Sequence, residues 1–284
     1  MYIFADSGST KTNWIITDRR GEVISGFDSI GLNPYFVSKE KILSTLADRF
    51  PDSQNPLLIE KVYFYGSGCG NAENCEHLRV GLEEYFYNAK VNVFTDMLGT
   101  ARALLMDQTG IAAIIGTGTN SCLYNGHSIT QNAVSLGFIL GDEGSGAYIG
   151  KLFVKHYLEH KFDQELTEKI LIETGATHSS VLSATYKNPH PNRYLASFCV
   201  FIKNNIQHQQ LQEIIRFSFA KFFEKYVLIY PNYQNCTIGF CGSVAFNFQD
   251  FIVEIGNYYK IKNVSFINEP LSKIIEFHKL DNFN

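Results

Sequence analysis

A strand, a loop of small polar residues and a second strand occur twice in this chain, and that recurrence limits the folds open to it. Near the start, Tyr2-Ile3-Phe4-Ala5 leads into Asp6-Ser7-Gly8-Ser9-Thr10-Lys11-Thr12. Asn13-Trp14-Ile15-Ile16-Thr17 leads out, and Arg20-Gly21 turns the chain. Later, Ala112-Ala113-Ile114-Ile115 runs into Gly116-Thr117-Gly118-Thr119-Asn120. Ser121-Cys122-Leu123-Tyr124 leads out there, and Asn125-Gly126 turns. Each stretch reads as the first hairpin of a three-stranded meander. The third strands are expected at Glu22 to Phe27, with an end near Ile30-Gly31, and ending near Leu136-Gly137. Self-similarity of this kind points to two related halves. Glycine lets a backbone approach a ligand closely, and amide and hydroxyl donors suit phosphate oxygens. Two such halves facing one another could clamp the two ends of a polyphosphate. Asp6, at the mouth of the first loop, could hold the water shell of a magnesium ion. The alternative is a pair of ordinary tight hairpins, which favour the same residue types.

Between and after these hairpins the chain alternates strands with helices, the pattern of an α/β fold. Pro34 is expected to open a helix carrying Ile42, Leu46 and Phe50 on one face, with Pro51 closing it. Lys61 to Tyr65 reads as a strand ending in Gly66-Ser67-Gly68-Cys69-Gly70. Leu78, Leu82, Tyr85 and Phe86 give the next helix its apolar side. Val91 to Thr95 is a short strand, and Asp96 starts another helix. Leu140-Gly141-Asp142-Glu143-Gly144-Ser145 enters a helix with Ile149, Leu152, Phe153 and Tyr157 on one side. Asp163 to Ile206 reads as helical, broken around Pro189 and Pro191, and carries no chemical signature. Leu211 to Tyr226 is a strongly apolar helix. Thr237 to Phe240 is a strand ending in Cys241-Gly242-Ser243-Val244-Ala245, and a last strand, Val264 to Ile267, precedes a closing helix.

Composition narrows the function classes. A chain of 284 residues allows one or two domains, and 45% hydrophobic residues suffice for packed cores. A net charge of -4 with no long block of one sign argues against nucleic acid or an anionic membrane as partner. Any phosphate site must therefore rely on local donors. The six cysteines, Cys69, Cys75, Cys122, Cys199, Cys236 and Cys241, show no paired metal spacing and suit a reducing cytoplasm. The first residues already form an apolar strand rather than a signal segment, and no run is apolar enough to span a bilayer.

Six motifs in this order resemble the N-acetylglucosamine kinase and BadF-type ATPase branch of the actin/hexokinase/Hsp70 superfamily. They are Asp6 through Thr12, Gly66-Ser67-Gly68-Cys69, Thr95-Asp96, Gly116 through Asn120, Gly141 through Ser145, and Gly242-Ser243-Val244-Ala245. They span nearly the whole chain. The resemblance implies two ribonuclease-H-like (actin-like ATPase) domains with a nucleotide cleft between them. The expected division is 1–109, joined by a C-terminal helix at 269–284, and 110–268. It also implies ATP and Mg2+, a sugar acceptor and a homodimer.

By the same resemblance, Asp6, Gly8, Ser9, Thr10, Lys11 and Thr12 bind the phosphates together with Gly116, Thr117, Gly118 and Thr119. Asp6 is the residue expected near the metal. Family loops often carry glycine where this chain has Ser7 and Ser9, which would be strained at positive φ. Gly242, Ser243 and Val244 are expected against the adenosine; otherwise they are a strand-to-helix turn capped by Ser243. Asp96 is the expected catalytic base, accepting the proton of the attacking sugar hydroxyl. A carboxylate there is equally suited to capping a helix. Asn33, Ser67, Gly68, Asn120, Gly137, Asp142 and Glu143, together with Asp96, are the candidates for holding the sugar. Asn33 also suits a turn before proline, and Asp142 and Glu143 also suit a helix N-terminus. The implied reaction is phosphorylation of N-acetylglucosamine to its 6-phosphate. The alternatives are N-acetylmuramic acid or glucosamine kinase, or an ATPase that activates a radical dehydratase. The activators hold an iron–sulfur cluster through cysteines near the second phosphate loop. In this chain Cys122 lies on the strand after that loop.

Overall fold

The computed structural model describes residues 1–8, 10–280 and 283. The chain divides into two compact units, Met1–Asp107 with Pro270–Asn284, and Gln108–Glu269.

The first unit begins with the meander β1 (Tyr2–Ser7), β2 (Lys11–Thr17) and β3 (Val23–Ile30). It continues through α1 (Lys39–Arg49), β4 (Lys61–Gly66), α2 (Ala72–Tyr85), β5 (Lys90–Thr95) and α3 (Asp96–Leu105). The strands form one mixed sheet in the order β3-β2-β1-β4-β5, with β1, β4 and β5 parallel. Central parallel strands are covered on both faces and so read as continuous apolar runs. On one face, Ile3, Ala5, Trp14, Val62 and Phe64 pack with Ile42 and Leu46 of α1 and Leu78 and Leu82 of α2. Ser7, Gly66 and Thr95 lie in one row across β1, β4 and β5. The loops that follow these three strands therefore leave from one edge of the sheet.

The second unit repeats the plan. Its meander is β6 (Thr109–Ile115), β7 (Thr119–Asn125) and β8 (Ile129–Asn132). Six helices follow: α4 (Gly137–Leu140), α5 (Gly146–Leu158), α6 (Gln164–Thr174), α7 (His178–Tyr186), α8 (Pro191–Asn204) and α9 (Gln209–Tyr226). Then come β9 (Thr237–Cys241), α10 (Ser243–Asn247), α11 (Gln249–Tyr258) and β10 (Val264–Ile267). The sheet order β10-β9-β6-β7-β8 mirrors that of the first unit strand for strand. Its core joins Ile111, Ala113, Ile238 and Phe240 to Phe153 of α5 and Phe219, Phe222 and Phe223 of α9. Ile114, Cys241 and Ile267 share a row, so again the loops after the parallel strands share an edge. The last helix, α12 (Leu271–Leu280), belongs to the first unit, where His278 packs against Tyr63 with ring centroids 4.0 Å apart.

Several local expectations are corrected. Pro34 does not open α1. The chain first makes a turn in which Asn33 O accepts from Phe36 N, and Ser38 then caps the helix through Lys41 N. Proline supplied the φ needed at a turn, which is also the φ of a helix start. The third strand of the first meander starts at Val23 rather than Glu22 and ends at Ile30, in line with the expected end near Ile30-Gly31. The equivalent strand β8 is only four residues long, and Leu136-Gly137 opens α4 with Gly137 at φ +70°. The 163–206 stretch is helical and broken around Pro189 and Pro191 as expected, with a further break between α6 and α7 and with Pro191 in the first turn of α8. Among the described residues no helix is long and apolar enough to cross a membrane.

Candidate active site

In the first unit, three of the motifs come to the shared carboxyl edge of β1, β4 and β5. Open α/β sheets bind ligands at such edges. The β1–β2 turn is closed by Gly8 N donating to Lys11 O at 3.0 Å. It is braced from below, where the hydroxyls of Ser7 and Thr12 meet at 2.8 Å. Ser7 Oγ also accepts from Leu32 N, and Thr12 Oγ1 donates to Ile30 O. Both side chains are fully buried, so they shape the loop from within. Ser7 is extended strand and carries no positive-φ strain; Ser9 lies outside the described residues. Lys11 pairs with Asp28 at 3.1 Å on the exposed side.

Beside this turn, Ser67 N donates to Ser7 O at 2.8 Å and ties the β4 loop to the end of β1. Gly68 sits at φ +85°, and a Cβ there would lie 2.5 Å from Asn33 Oδ1. Asn33 and Gly68 are thus in direct contact, with Asn33 also accepting from Tyr35 N. The Ser67 hydroxyl is buried with no hydrogen-bond partner among the described residues.

Asp96 follows β5 on the same edge. The capping role falls to its neighbour: Thr95 Oγ1 accepts from Leu98 N at 3.1 Å. Asp96 is the first residue of α3, and its Oδ1 accepts from Met97 N at 2.8 Å. Burial raises its carboxyl pKa above the ordinary aspartate value, against the lowering effect of the Met97 and Asp96 amides. A partly buried carboxylate with a raised pKa that is not needed as a cap is a candidate for proton transfer.

The second unit gathers its own set. The Gly116–Gly118 turn is closed by Gly116 N donating to Gly118 O at 3.0 Å. The start of α5 holds this turn from behind: Gly146 N donates to Gly116 O and Ala147 N to Thr117 O. Ser145 caps the same helix through Tyr148 N. Asp142 is therefore not a cap. It is a buried non-glycine residue at φ +58°, with Oδ1 3.4 Å from Thr119 N and Oδ2 facing Gly118. Burial raises its pKa; the Thr119 amide lowers it, Glu143 raises it further and Lys151 lowers it. The Thr119 hydroxyl is buried without a partner among the described residues. Asn120 turns its Oδ1 back to Ser121 N at 2.8 Å.

Gly242 has φ +114°, and a Cβ there would lie 2.6 Å from Ile115 O. The glycine is demanded by the fold at the point where β9 passes the second loop. Ser243 makes no side-chain cap; it is exposed at the start of α10, and Val244 is buried.

No family model matches the chain. Its fold is that of a crystal structure from Porphyromonas gingivalis described as a "putative N-acetylglucosamine kinase". The two share 35% identity over 99% of each chain, with a TM-score of 0.94. The chain belongs to the N-acetylglucosamine kinase-like family. A Chromobacterium violaceum protein with the same description is 18% identical over 97% of this chain and 98% of its own, at TM-score 0.73. A ROK family glucokinase from Streptomyces griseus, solved with glucose and AMPPNP, matches at TM-score 0.57 and 14% identity, over 98% of each chain. These two likenesses concern the fold, which the family shares with actin-like ATPases.

In this member of the N-acetylglucosamine kinase-like family, sequence reasoning gave three residues no role. Thr95 takes the cap that Asp96 could have filled. Lys225 pairs with Glu143 Oε1, and the hydroxyl of Tyr226 lies between Asp142 N (3.2 Å) and Glu143 Oε2 (3.4 Å). Lys225 and Tyr226 sit at the end of an apolar helix and carry no motif of their own.

Proposed function

We propose that this chain is an ATP-dependent sugar kinase acting on an amino sugar, with N-acetylglucosamine the leading acceptor and its 6-hydroxyl the nucleophile. The observation that carries the reading is Asp96. It is a carboxylate with a raised pKa, spared from capping by Thr95, on the sheet edge from which the Asp6–Lys11 and Ser67-Gly68 loops also leave. The names of relatives from P. gingivalis and C. violaceum support the same class. A Listeria monocytogenes structure described as a "putative N-acetylmannosamine kinase" shares the fold at TM-score 0.54 and 13% identity.

The residues present fit a nucleotide and a sugar. Two tight turns offer small residues and backbone amides for phosphate oxygens. Two buried hydroxyls, Ser67 Oγ and Thr119 Oγ1, have no partner among the described residues and suit a polar ligand. Asp6 supplies one carboxylate for Mg2+, which ordinarily takes one or two from protein and the rest from phosphate and water. Bound Mg-ATP would supply the γ-phosphoryl group and offset its charge. Gly8, Thr10 and Lys11, with Ser9, belong to one phosphate loop in this reading, and Gly116 to Thr119 to the other, with Gly242, Ser243 and Val244 toward the adenosine. Asn33, Ser67, Gly68, Asn120, Gly137 and Asp142 hold the acceptor, and Asp96 takes the proton of its hydroxyl. Electrostatic positioning of this kind is the main contribution a protein makes to phosphoryl transfer.

A homodimer in a reducing compartment completes the proposal; no disulfide joins any of the six cysteines among the described residues. The activator reading gains no support, because Cys122 is buried inside β7 with its thiol pushed up to about 12. A coupled ADP-release assay over N-acetylglucosamine, N-acetylmannosamine, N-acetylmuramic acid, glucosamine and glucose tests the function. Sugar-dependent release with a 6-phosphate product by mass spectrometry is expected; ADP release indifferent to sugar would overturn it.

A further inference from the structure

The Gly141–Gly144 turn lies along one face of α9. A Cβ on Gly144 (φ +87°) would meet Phe222 Cβ at 2.6 Å, and one on Gly141 would lie 3.5 Å from Tyr226 Oη. Phe222 and Tyr226 are one helical turn apart and stack with centroids 5.6 Å apart. At Gly144 the helix leaves no room for a side chain, while Gly141 lies at ordinary contact distance from Tyr226.

Its two carboxylates are treated differently. Glu143 is buried, with Oε1 on Lys225 Nζ and Oε2 on the Tyr226 hydroxyl, so both oxygens are engaged by successive residues of α9. Tyr226 is itself buried, and its hydroxyl accepts from Asp142 N while donating to Glu143. Burial and the two neighbouring carboxylates raise its pKa, which keeps the phenol protonated and able to donate. The α9 end is fixed in turn to the strand leaving the second loop, where Ser121 Oγ donates to Tyr226 O at 2.6 Å. Asp142 is the member of the pair whose carboxyl turns toward Gly118 and Thr119.

We propose that Tyr226 and Lys225 are positioning residues for acceptor binding, and that Glu143 is their anchor rather than a sugar ligand. They lock Glu143 so that Asp142 is held in its left-handed conformation with its carboxyl presented to the sugar. A non-glycine residue at positive φ persists only where its surroundings enforce it, and the Tyr226 hydroxyl on the Asp142 amide is that enforcement. This inference rests on the amino sugar kinase reading.

The test compares wild type, Tyr226→Phe, Glu143→Gln and Glu143→Leu by steady-state kinetics with N-acetylglucosamine and ATP varied separately. Tyr226→Phe keeps the ring stacked on Phe222 and removes only the hydroxyl. It is expected to raise the sugar KM about tenfold, the size of one well-placed hydrogen bond, with the ATP KM within about twofold of wild type. Glu143→Gln retains an oxygen acceptor and is expected to stay within about threefold of wild type in sugar KM, whereas Glu143→Leu is expected to match Tyr226→Phe. A sugar KM unchanged in Tyr226→Phe, or both KM values rising together with a fall in Tm, would overturn the inference alone. Loss in Glu143→Gln as severe as in Asp142→Asn would restore Glu143 as a direct ligand and also overturn it. A wild-type protein that phosphorylates none of the sugars would overturn the functional reading, and this inference with it.

Discussion

Replacing Asp96 with asparagine separates chemistry from folding, because α3 is capped by Thr95 and not by Asp96. Asparagine keeps the side-chain size and an oxygen that can accept from Met97 N, so the geometry at the start of α3 survives. What changes is charge. Burial raises the Asp96 pKa, so the native state binds this proton more tightly than the unfolded chain does. The stabilisation from that proton is complete below the unfolded value, about 3.9. It is lost as pH rises through the raised folded value, so at neutral pH the ionised group opposes folding. Asparagine relieves that penalty but gives up a favourable first-turn interaction with the helix dipole of about 0.3–1 kcal/mol. The two effects oppose one another, so the variant is expected within about 1 kcal/mol of wild type, or about 4 °C in Tm. Catalysis is expected to fall much further. A positioned general base contributes about 10²–10⁴-fold, so kcat should drop at least about 100-fold, equivalent to about 2.7 kcal/mol of barrier. Mg-ATP affinity by calorimetry should stay within about twofold. The wild-type kcat/KM should also decline on acidification from a pH above the ordinary aspartate range, and the variant should lack that limb. Thr95→Ala supplies the converse control: loss of the cap costs about 1 kcal/mol, while the carboxylate remains and turnover is largely kept. Near-native turnover in Asp96→Asn would refute the base assignment. Destabilisation greater than that of Thr95→Ala would refute the argument that Thr95 carries the cap.

Gly242→Ala forces a side chain to φ +114° and its Cβ to 2.6 Å from Ile115 O, so a loss of about 1–3 kcal/mol and a Tm fall of about 3–10 °C by differential scanning fluorimetry is expected. Asp142→Asn should raise the sugar KM about tenfold or more with ATP affinity retained, and because the Asp142 pKa is raised, the wild-type sugar KM should itself worsen on acidification before ordinary aspartates titrate. Ser67→Ala removes a buried hydroxyl that has no partner among the described residues; stability should be unchanged or slightly higher, while the sugar KM rises several-fold in the coupled assay. Chelation of Mg2+ should abolish sugar-dependent ADP release and leave the thermal melt of the ligand-free protein unmoved, since no cluster of three metal-ligating side chains exists among the described residues.

Both sheets could be read from the chain because their information is local. The apolar runs of β1 and β6 are continuous, as strands buried on both faces must be, and each stops at small residues that permit a tight turn. Asp96 could be located for the same reason, since β5 ends and α3 begins around it. Where one residue type serves two local structures, sequence alone chose wrongly. Pro34 fits a helix start and a turn equally, and the side chain that decides, Ser38 on Lys41 N, lies four residues further on. The division of labour between Thr95 and Asp96 was hidden likewise, because both residue types cap helices and only the bond to Leu98 N separates them.

The support beneath the Asp142 turn was less legible, because Tyr226 falls on the same stripe as Phe219, Phe222 and Phe223, where helical periodicity reports core and nothing more. Yet that stripe contained a usable signal. Phenylalanine fills almost the same volume as tyrosine, and a buried phenol must find a partner or lose the hydrogen bonds it had in water. In a run that otherwise takes phenylalanine, a tyrosine therefore marks a point where the core borders something polar. Here that polar neighbour is the Asp142 amide and the Glu143 carboxylate, 84 and 83 residues away in the chain. Gly144, on the other side of the contact, carries the complementary message: it is small where Phe222 of α9 is bulky. The acceptor turn and its helix are thus matched in shape as well as in hydrogen bonding, and a change in either side should be felt first in the sugar KM.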